Sequence, residues 1–259
     1  MAHRFVLRPR PLSCHTGPVL TLGVDLASAD ERTAVALLDW SGGGAAVRDL
    51  RLGVSDDDLL KAVHGVDKAG LDCPLGWPDA FVDFVVAQRQ GRLGPVAADA
   101  AWRRGLAYRL TDQVVRAETG VNPLSVSADR IAYVAFRCAN LLAHLGVEDR
   151  SGDGALVEVY PAATLRRWGL THRGYKVQGH STLLDELLTA APWLDLGPYG
   201  DLCRTSHDAF DAVIAGLAAR AAALGRYLRP SPAQQEAARR EGWIALPTGG
   251  PGDLLSEGR

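Results

Sequence analysis

Residues 18–26 read PVLTLGVDL, an apolar and β-branched run that ends on an acid, the pattern of a strand buried on both faces. Residues 33–40 (TAVALLDW) and 45–53 (AAVRDLRLG) follow, separated by Ser41-Gly42-Gly43-Gly44. They predict two more strands joined by a hairpin turn, so the chain opens with a three-strand meander. Ser55 before Asp56, Asp57 and Asp58 predicts a helix start, with Leu59, Leu60 and Val63 facing inward and the three acids complementing the helix dipole on a solvated face. Residues 69–75 (AGLDCPL) come after that helix. They predict a strand returned by a right-handed crossover, parallel to the first. Gly76-Trp77-Pro78 breaks the chain, and Phe81, Phe84 and Val85 mark a short helix beyond it.

The stretch 91–128 is rich in Gly, Pro and Arg and reads as a helical insertion or lid. Within it Arg109, Asp112 and Arg116 fall at i, i+3 and i+7, one face of a helix. They read either as an arginine clamp for phosphate oriented by the carboxylate or as a surface ion-pair ladder of small value. Ile131, Val134, Ala135, Cys138, Leu141, Leu142 and Leu145 give a clean helical stripe, expected to pack on the sheet. Residues 155–161 (ALVEVYP) predict a short strand with Glu158 inside it and a proline that stops it. Residues 161–168 and 180–190 predict further helices around a polar connection that holds His172, Arg173 and Lys176. Residues 205–224 predict a helix with an apolar side through Phe210, Val213, Ile214 and Leu217, and with Asp208 and Asp211 on another face. A charged helix over 232–240 and a closing edge strand over 241–247 (EGWIALP) complete the expected order. The chain thus divides into a flexible arm (1–17), a single α/β domain (18–247) and a disordered tail (248–259).

Composition changes this picture little. The 259 residues carry 47% hydrophobic and 22% charged side chains and a formal charge of −2, so bulk charge selects no partner. Lysine is scarce (Lys61, Lys68, Lys176), which gives Lys176 interest by contrast. Cys14, Cys73, Cys138 and Cys203 form no C-x-x-C pair and suggest neither zinc nor a secreted disulfide framework, so reduced cytoplasmic thiols are expected. No apolar run approaches the ~18 residues of a membrane span, and the first residues lack the apolar core of a signal peptide. A homodimer stays open.

The candidate chemistry lies in the acids. Asp25, Asp72 and Glu158 each sit near the end of an apolar run, where a carboxylate is expensive unless paired or ligated. On parallel neighbours roughly 4.8 Å apart, the three would fall along one edge of the sheet. The late helix would add Asp208 and Asp211. Asp208 in a first turn also has a plain reading as a dipole partner beside a Thr205 or Ser206 cap. Asp211, a turn deeper between apolar neighbours, does not. Four or five converging carboxylates repel unless a cation joins them, and one or two Mg²⁺ or Mn²⁺ ions bound through oxygen would offset that repulsion. Such ions, ~4 Å apart when two are bound, favour phosphodiester hydrolysis.

The order of elements resembles the ribonuclease H fold, a mixed sheet of a three-strand meander plus parallel strands flanked by helices, with Asp25 on the first strand. The D-x-x-D-A of residues 208–212 looks like the final catalytic helix of the Holliday-junction resolvase branch. GVDLA (23–27), LDCPLGWP (71–78), RLTDQVVR (109–116), EVYPAA (158–163), YKVQG (175–179), HDAFDA and EGWIALP resemble, in order, domain-of-unknown-function family 429, regarded as predicted nucleases of ribonuclease H fold. The resemblance implies a metal-dependent nuclease acting on DNA or RNA, with Asp25, Asp72, Glu158, Asp208 and Asp211 as catalytic and metal residues. Arg109, Arg116 and Lys176 would then meet the substrate's phosphates, with Asp112 as an outer substrate-site residue beside them. One departure is that the acid expected on the first core helix is not evident, with Glu158 on a later strand as its replacement. Two other readings stand beside this one. An actin-like or sugar-kinase-like ATPase would need a glycine-containing phosphate hairpin after the first strand, and residues 26–32 hold no glycine. A non-catalytic module would bind nucleic acid or protein through the Arg-bearing insertion.

Overall fold

The structure is a computed structural model and describes residues 19–176 and 180–255. The expected arm, 1–17, and residues 256–259 of the expected tail lie outside the described residues. In chain order the elements are β1 (Leu20–Asp25), β2 (Ala34–Asp39), β3 (Ala45–Leu52), α1 (Asp56–His64), β4 (Lys68–Asp72), α2 (Asp79–Arg89), α3 (Ala100–Ala107), α4 (Leu110–Thr119) and α5 (Ala132–Leu145). There follow β5 (Leu156–Glu158), α6 (Pro161–Arg167), α7 (His180–Ala190), β6 (Leu194–Asp195), α8 (Gly200–Thr205), α9 (His207–Ala223) and α10 (Gln235–Glu241). This is a mixed α/β fold on a six-stranded sheet of order β5-β4-β1-β2-β3-β6. The meander β1-β2-β3 is antiparallel, whereas β4 joins β1, β5 joins β4 and β6 joins β3 in parallel. No helix among the described residues is long and apolar enough to cross a membrane.

The alternation in β1 sorts its side chains. Leu22 and Val24 join Leu71, Leu141 and Leu145 in a core beneath α1 and α5. Thr21, Gly23 and Asp25 leave the opposite face, toward α9, where Thr21 Oγ1 donates to the Gly216 carbonyl at 3.1 Å. Gly23 explains how close that helix comes. A methyl there would fall inside the van der Waals shell of the Ala212 carbonyl oxygen and the Gly216 nitrogen. Helix α9 is capped by Ser206, whose Oγ accepts from the Ala209 N–H at 3.2 Å. The sequence predicts one apolar side for it, but fourteen of its seventeen residues are buried, because α6, α7 and α8 cover the side turned away from the sheet. An all-round apolar helix is what such a position requires.

Three expectations change. Helix α4 does not belong to a lid. Val115 and the half-buried Leu110 and Val114 pack into the core with Trp243, Ile244 and Leu246. Residues 241–247 form no strand and contribute only isolated bridges, Glu158 to Ile244 and Tyr227 to Pro247, while the far edge is closed by β6. With β5 only three residues long, there is little ladder for an added strand to follow. The expected tail is ordered as far as residue 255. Pro251–Leu255 makes a 3-10 turn with Leu254 buried, and its carbonyl accepts from Arg220 Nε at 3.3 Å.

Candidate active site

Strands β1 and β4 end together. Asp25 is the register partner of Asp72, so on parallel neighbours their side chains leave the same face. That is the face covered by α9, which presents Asp211 from its second turn, fully buried. The Tyr175 hydroxyl donates to Asp211 Oδ1 at 2.8 Å, and Lys176 Nζ lies 2.5 Å from Oδ2. Oδ2 has no directed hydrogen bond, so the ammonium holds it by charge. Lys176 reaches in from a side chain that is 48% exposed. Neither the Asp25 nor the Asp72 carboxylate has a hydrogen bond or ion pair among the described residues.

The electrostatics follow from that placement. Burial, then the charges of Asp72 and Asp211, hold the Asp25 carboxyl well above the usual carboxylate range. Asp72 is pushed up to about 7, chiefly by burial, against the downward pull of Lys176. Asp211 is raised by burial, although Lys176 and Tyr175 oppose it. Burial works against the Lys176 ammonium, but Asp211, Asp72 and Asp25 outweigh it and raise its pKa. Tyr160 on the rim is pushed up to about 12 by burial and by Asp72. Among the described residues three carboxylates thus share one ammonium, a set short of positive charge.

Asp208 stands at the entrance. Arg32, from the turn after β1, grips it through Nε–Oδ2 at 2.8 Å and Nη2–Oδ1 at 2.9 Å, and His207 Nδ1 lies 2.9 Å from Oδ1. Burial raises its pKa, but the Arg32 hydrogen bond and the charges of His207 and Arg32 outweigh that and lower it.

Glu158 is not brought into this group. Its register partner is Leu71, one residue before Asp72, so its side chain leaves the other face of the sheet. There Arg109 donates to both its oxygens at 2.7 Å, and the Leu75 N–H donates to Oε2 at 3.0 Å. The same guanidinium reaches Asp112 through Nε at 3.1 Å and Nη2 at 2.8 Å, and the Glu241 carbonyl through Nη1 at 3.2 Å. Arg109, Asp112 and Glu158 are all buried. Gly242 (φ +93°) lies against them, where a Cβ would meet Glu158 Oε2 at 2.8 Å. Both sequence readings of Arg109 and Asp112 give way to a buried ionic triad, because an arginine with its donors satisfied has none left for phosphate. Arg116 is exposed toward the other end of α4, away from the triad.

Tyr175 and Arg32 were not singled out by sequence reasoning. Tyr175 stood beside Lys176 in the YKVQG block, and Arg32 closed the turn that follows the Asp25 strand.

Among the described residues no group of three or more Asp, Glu, His or Cys side chains is drawn together as a metal ligand set. The donors nonetheless suit a hard cation. Asp25, Asp72 and Asp211 offer only oxygen, two of the three are unpaired, and the buried Asp211 Oδ2 lacks a hydrogen bond. Mg²⁺ or Mn²⁺ fits that set, and Zn²⁺, which prefers nitrogen and sulfur, does not.

A family model described as Protein of unknown function (DUF429) matches residues 23–236. No curated protein and no solved structure matches the chain.

Proposed function

From the premise that the chain belongs to the DUF429 family, we propose that it is a metal-dependent nuclease built on a ribonuclease H-like sheet. The observation that carries this reading is the register pairing of Asp25 with Asp72 on the face from which α9 presents Asp211. The meander with its first strand central and its later strands added in parallel supports the fold part of the reading.

Asp25, Asp72 and Asp211 would hold Mg²⁺ or Mn²⁺, whose chemistry when bound is to activate water and to stabilise the leaving oxygen of a phosphodiester. The chain's own groups then have distinct tasks. Tyr175 fixes Asp211 Oδ1 and so sets the orientation of that carboxylate. Arg32 and His207 hold Asp208 at the rim, where it adds negative charge without entering the buried cluster. Among the described residues Lys176 is the cation that contacts a cluster carboxylate directly and is half exposed, so it is a group suited to meet a phosphate oxygen. Glu158 and Arg109 support the scaffold from the opposite face.

The test is cleavage of single-stranded and structured DNA and RNA in Mn²⁺. Asp25→Asn is expected to lose roughly a hundredfold or more in rate, and full activity in that variant would sink the reading.

A second reading, a module that binds nucleic acid or protein without turnover, draws on the lack of an assembled ligand set and on the contact by which Lys176 already answers Asp211. Salt-dependent binding with no Mn²⁺ uptake would decide for it.

A further inference from the structure

Beyond the carboxylate cluster, the described surface holds a group of rings on α5 and on the turn after β4. Trp77 stacks on Phe136 with ring centroids 5.9 Å apart and planes at 23°, and Tyr133 meets Phe136 edge-on at 6.3 Å. Tyr133 is 70% exposed and Phe136 59% exposed, although rings of that size ordinarily bury their faces. Arg130 lies in the turn just before α5, exposed, and its guanidinium makes no hydrogen bond or ion pair among the described residues. Six exposed arginines stand against three exposed acids over residues 89–130, Arg109 and Asp112 being buried, in a chain whose formal charge is −2.

The rings are held where the two acid-bearing strands end. Trp77 lies five residues past Asp72 on the segment that leaves β4. Helix α5 is tied to the segment that leaves β1 by Arg137, which donates to the Ala27 carbonyl at 2.9 Å and to Thr33 Oγ1 at 2.7 Å and pairs with Asp30 and Asp56. Ligands of parallel α/β sheets gather outside the carboxyl ends of the strands. A flat aromatic surface with a free guanidinium at that edge suits the face of a nucleobase and the phosphate beside it.

We propose that Trp77, Tyr133 and Phe136 form a stacking ledge for the bases of a single-stranded nucleic acid, with Arg130 meeting its backbone. The proposal takes its class of ligand from the nuclease reading and names the form of substrate, a strand with unpaired bases. Duplex DNA hides its base faces and offers nothing for the rings to stack on.

The experiment measures binding without divalent metal, so that its outcome does not depend on turnover. Fluorescence anisotropy compares a short labelled oligothymidylate with an abasic oligonucleotide of the same length. The wild-type chain is expected to prefer the base-bearing strand by about tenfold or more, and Tyr133→Ala/Phe136→Ala to lose that preference. Tyr133→Trp/Phe136→Trp, which keeps the apolar surface and the rings, is expected to retain it, which separates lost stacking from misfolding. Arg130→Ala is expected to weaken both strands alike and to lower the salt slope by about one. Equal affinity of the wild type for the two strands would overturn the proposal. So would a preference that survives the double alanine variant, or a double variant whose only change is a smaller oligomer. Ring-dependent binding by a chain that hydrolyses nothing would leave the ledge standing and remove the nuclease; turnover without ring-dependent binding would do the reverse.

Discussion

Asp25 and Asp72 stand side by side at the ends of neighbouring parallel strands, and neither carboxylate is answered by a hydrogen bond or an ion pair among the described residues. Asp211, on the helix above them, is answered by both Tyr175 and Lys176. Among the described residues the strand pair is the unanswered half of the cluster, and its protons are where experiment finds leverage.

The first consequence is a pH dependence with a definite sign. The Asp72 carboxyl sits at about 7 in the folded chain, against roughly 3.9 unfolded. The folded form therefore holds the extra proton between those values, and this contribution to stability is complete below the unfolded value and lost as pH rises through the folded one. Asp72→Asn removes this contribution and relieves part of the upward push on Asp25, while the share of Asp211 remains. In metal-free protein the variant's unfolding free energy, measured by urea titration, should gain on that of the wild type as pH rises from about 4 to about 7, by an amount on the order of 1–3 kcal/mol. Asp208, whose pKa is lowered, works in the opposite direction but is common to both proteins and cancels in the difference. A flat difference across that range would show that the pair is not short of charge.

If the cluster holds a divalent ion as proposed, Lys176 would compete with it for Asp211. Lys176→Met should lower the melting temperature of the metal-free chain and tighten Mn²⁺ binding by about tenfold, since each 1.4 kcal/mol of removed competition is a factor of ten. Isothermal titration without substrate measures this directly. Weaker Mn²⁺ binding in the variant would mean that the ammonium assists the ion.

Arg109 answers two buried carboxylates and contacts nothing in the Asp25 cluster. Arg109→Met should destabilise the fold by about 3–5 kcal/mol, the usual result of stranding buried charge. Lysine should not rescue it, because a single ammonium cannot reproduce the forked contacts to Glu158 and Asp112. Urea unfolding gives the loss. Stability within about 1 kcal/mol of wild type, close to the error of such a comparison, would contradict the triad's structural role.

Gly23→Ala tests the closeness of α9 to the sheet. The added methyl meets backbone atoms of Ala212 and Gly216, which cannot swing aside, so a loss above the ~1–3 kcal/mol of ordinary overpacking is expected. Gly216→Ala meets the end of the Leu38 side chain, at 2.5 Å from Cδ1, which can change rotamer, and should lose less. Because Asp211 rides on α9, Gly23→Ala should also weaken Mn²⁺ binding; calorimetry of the two variants side by side separates the effects.

The sequence by itself determined the periods. Apolar, β-branched runs and the Ser41–Gly44 turn placed the meander, and Ser55 announced α1. The stripe from Ile131 to Leu145 announced α5, and the acids at the ends of β1 and β4 were visible as charges ending apolar runs. What it left open was parity and partnership. Glu158 ends a strand just as Asp72 does, but a register one residue short turns it to the far face, and no property of the local sequence carries register. Arg109 looked like half of a helical ion-pair ladder until a partner 49 residues away claimed its fork; Arg32 finds Asp208 across 176. Residues 241–247 have the composition of a strand, yet lie beside a β5 too short to extend a ladder. Local chemistry fixes which face of an element is apolar. Only packing decides which charge stands opposite which, because ion pairs and register are set between segments that approach each other late and from far apart in the chain.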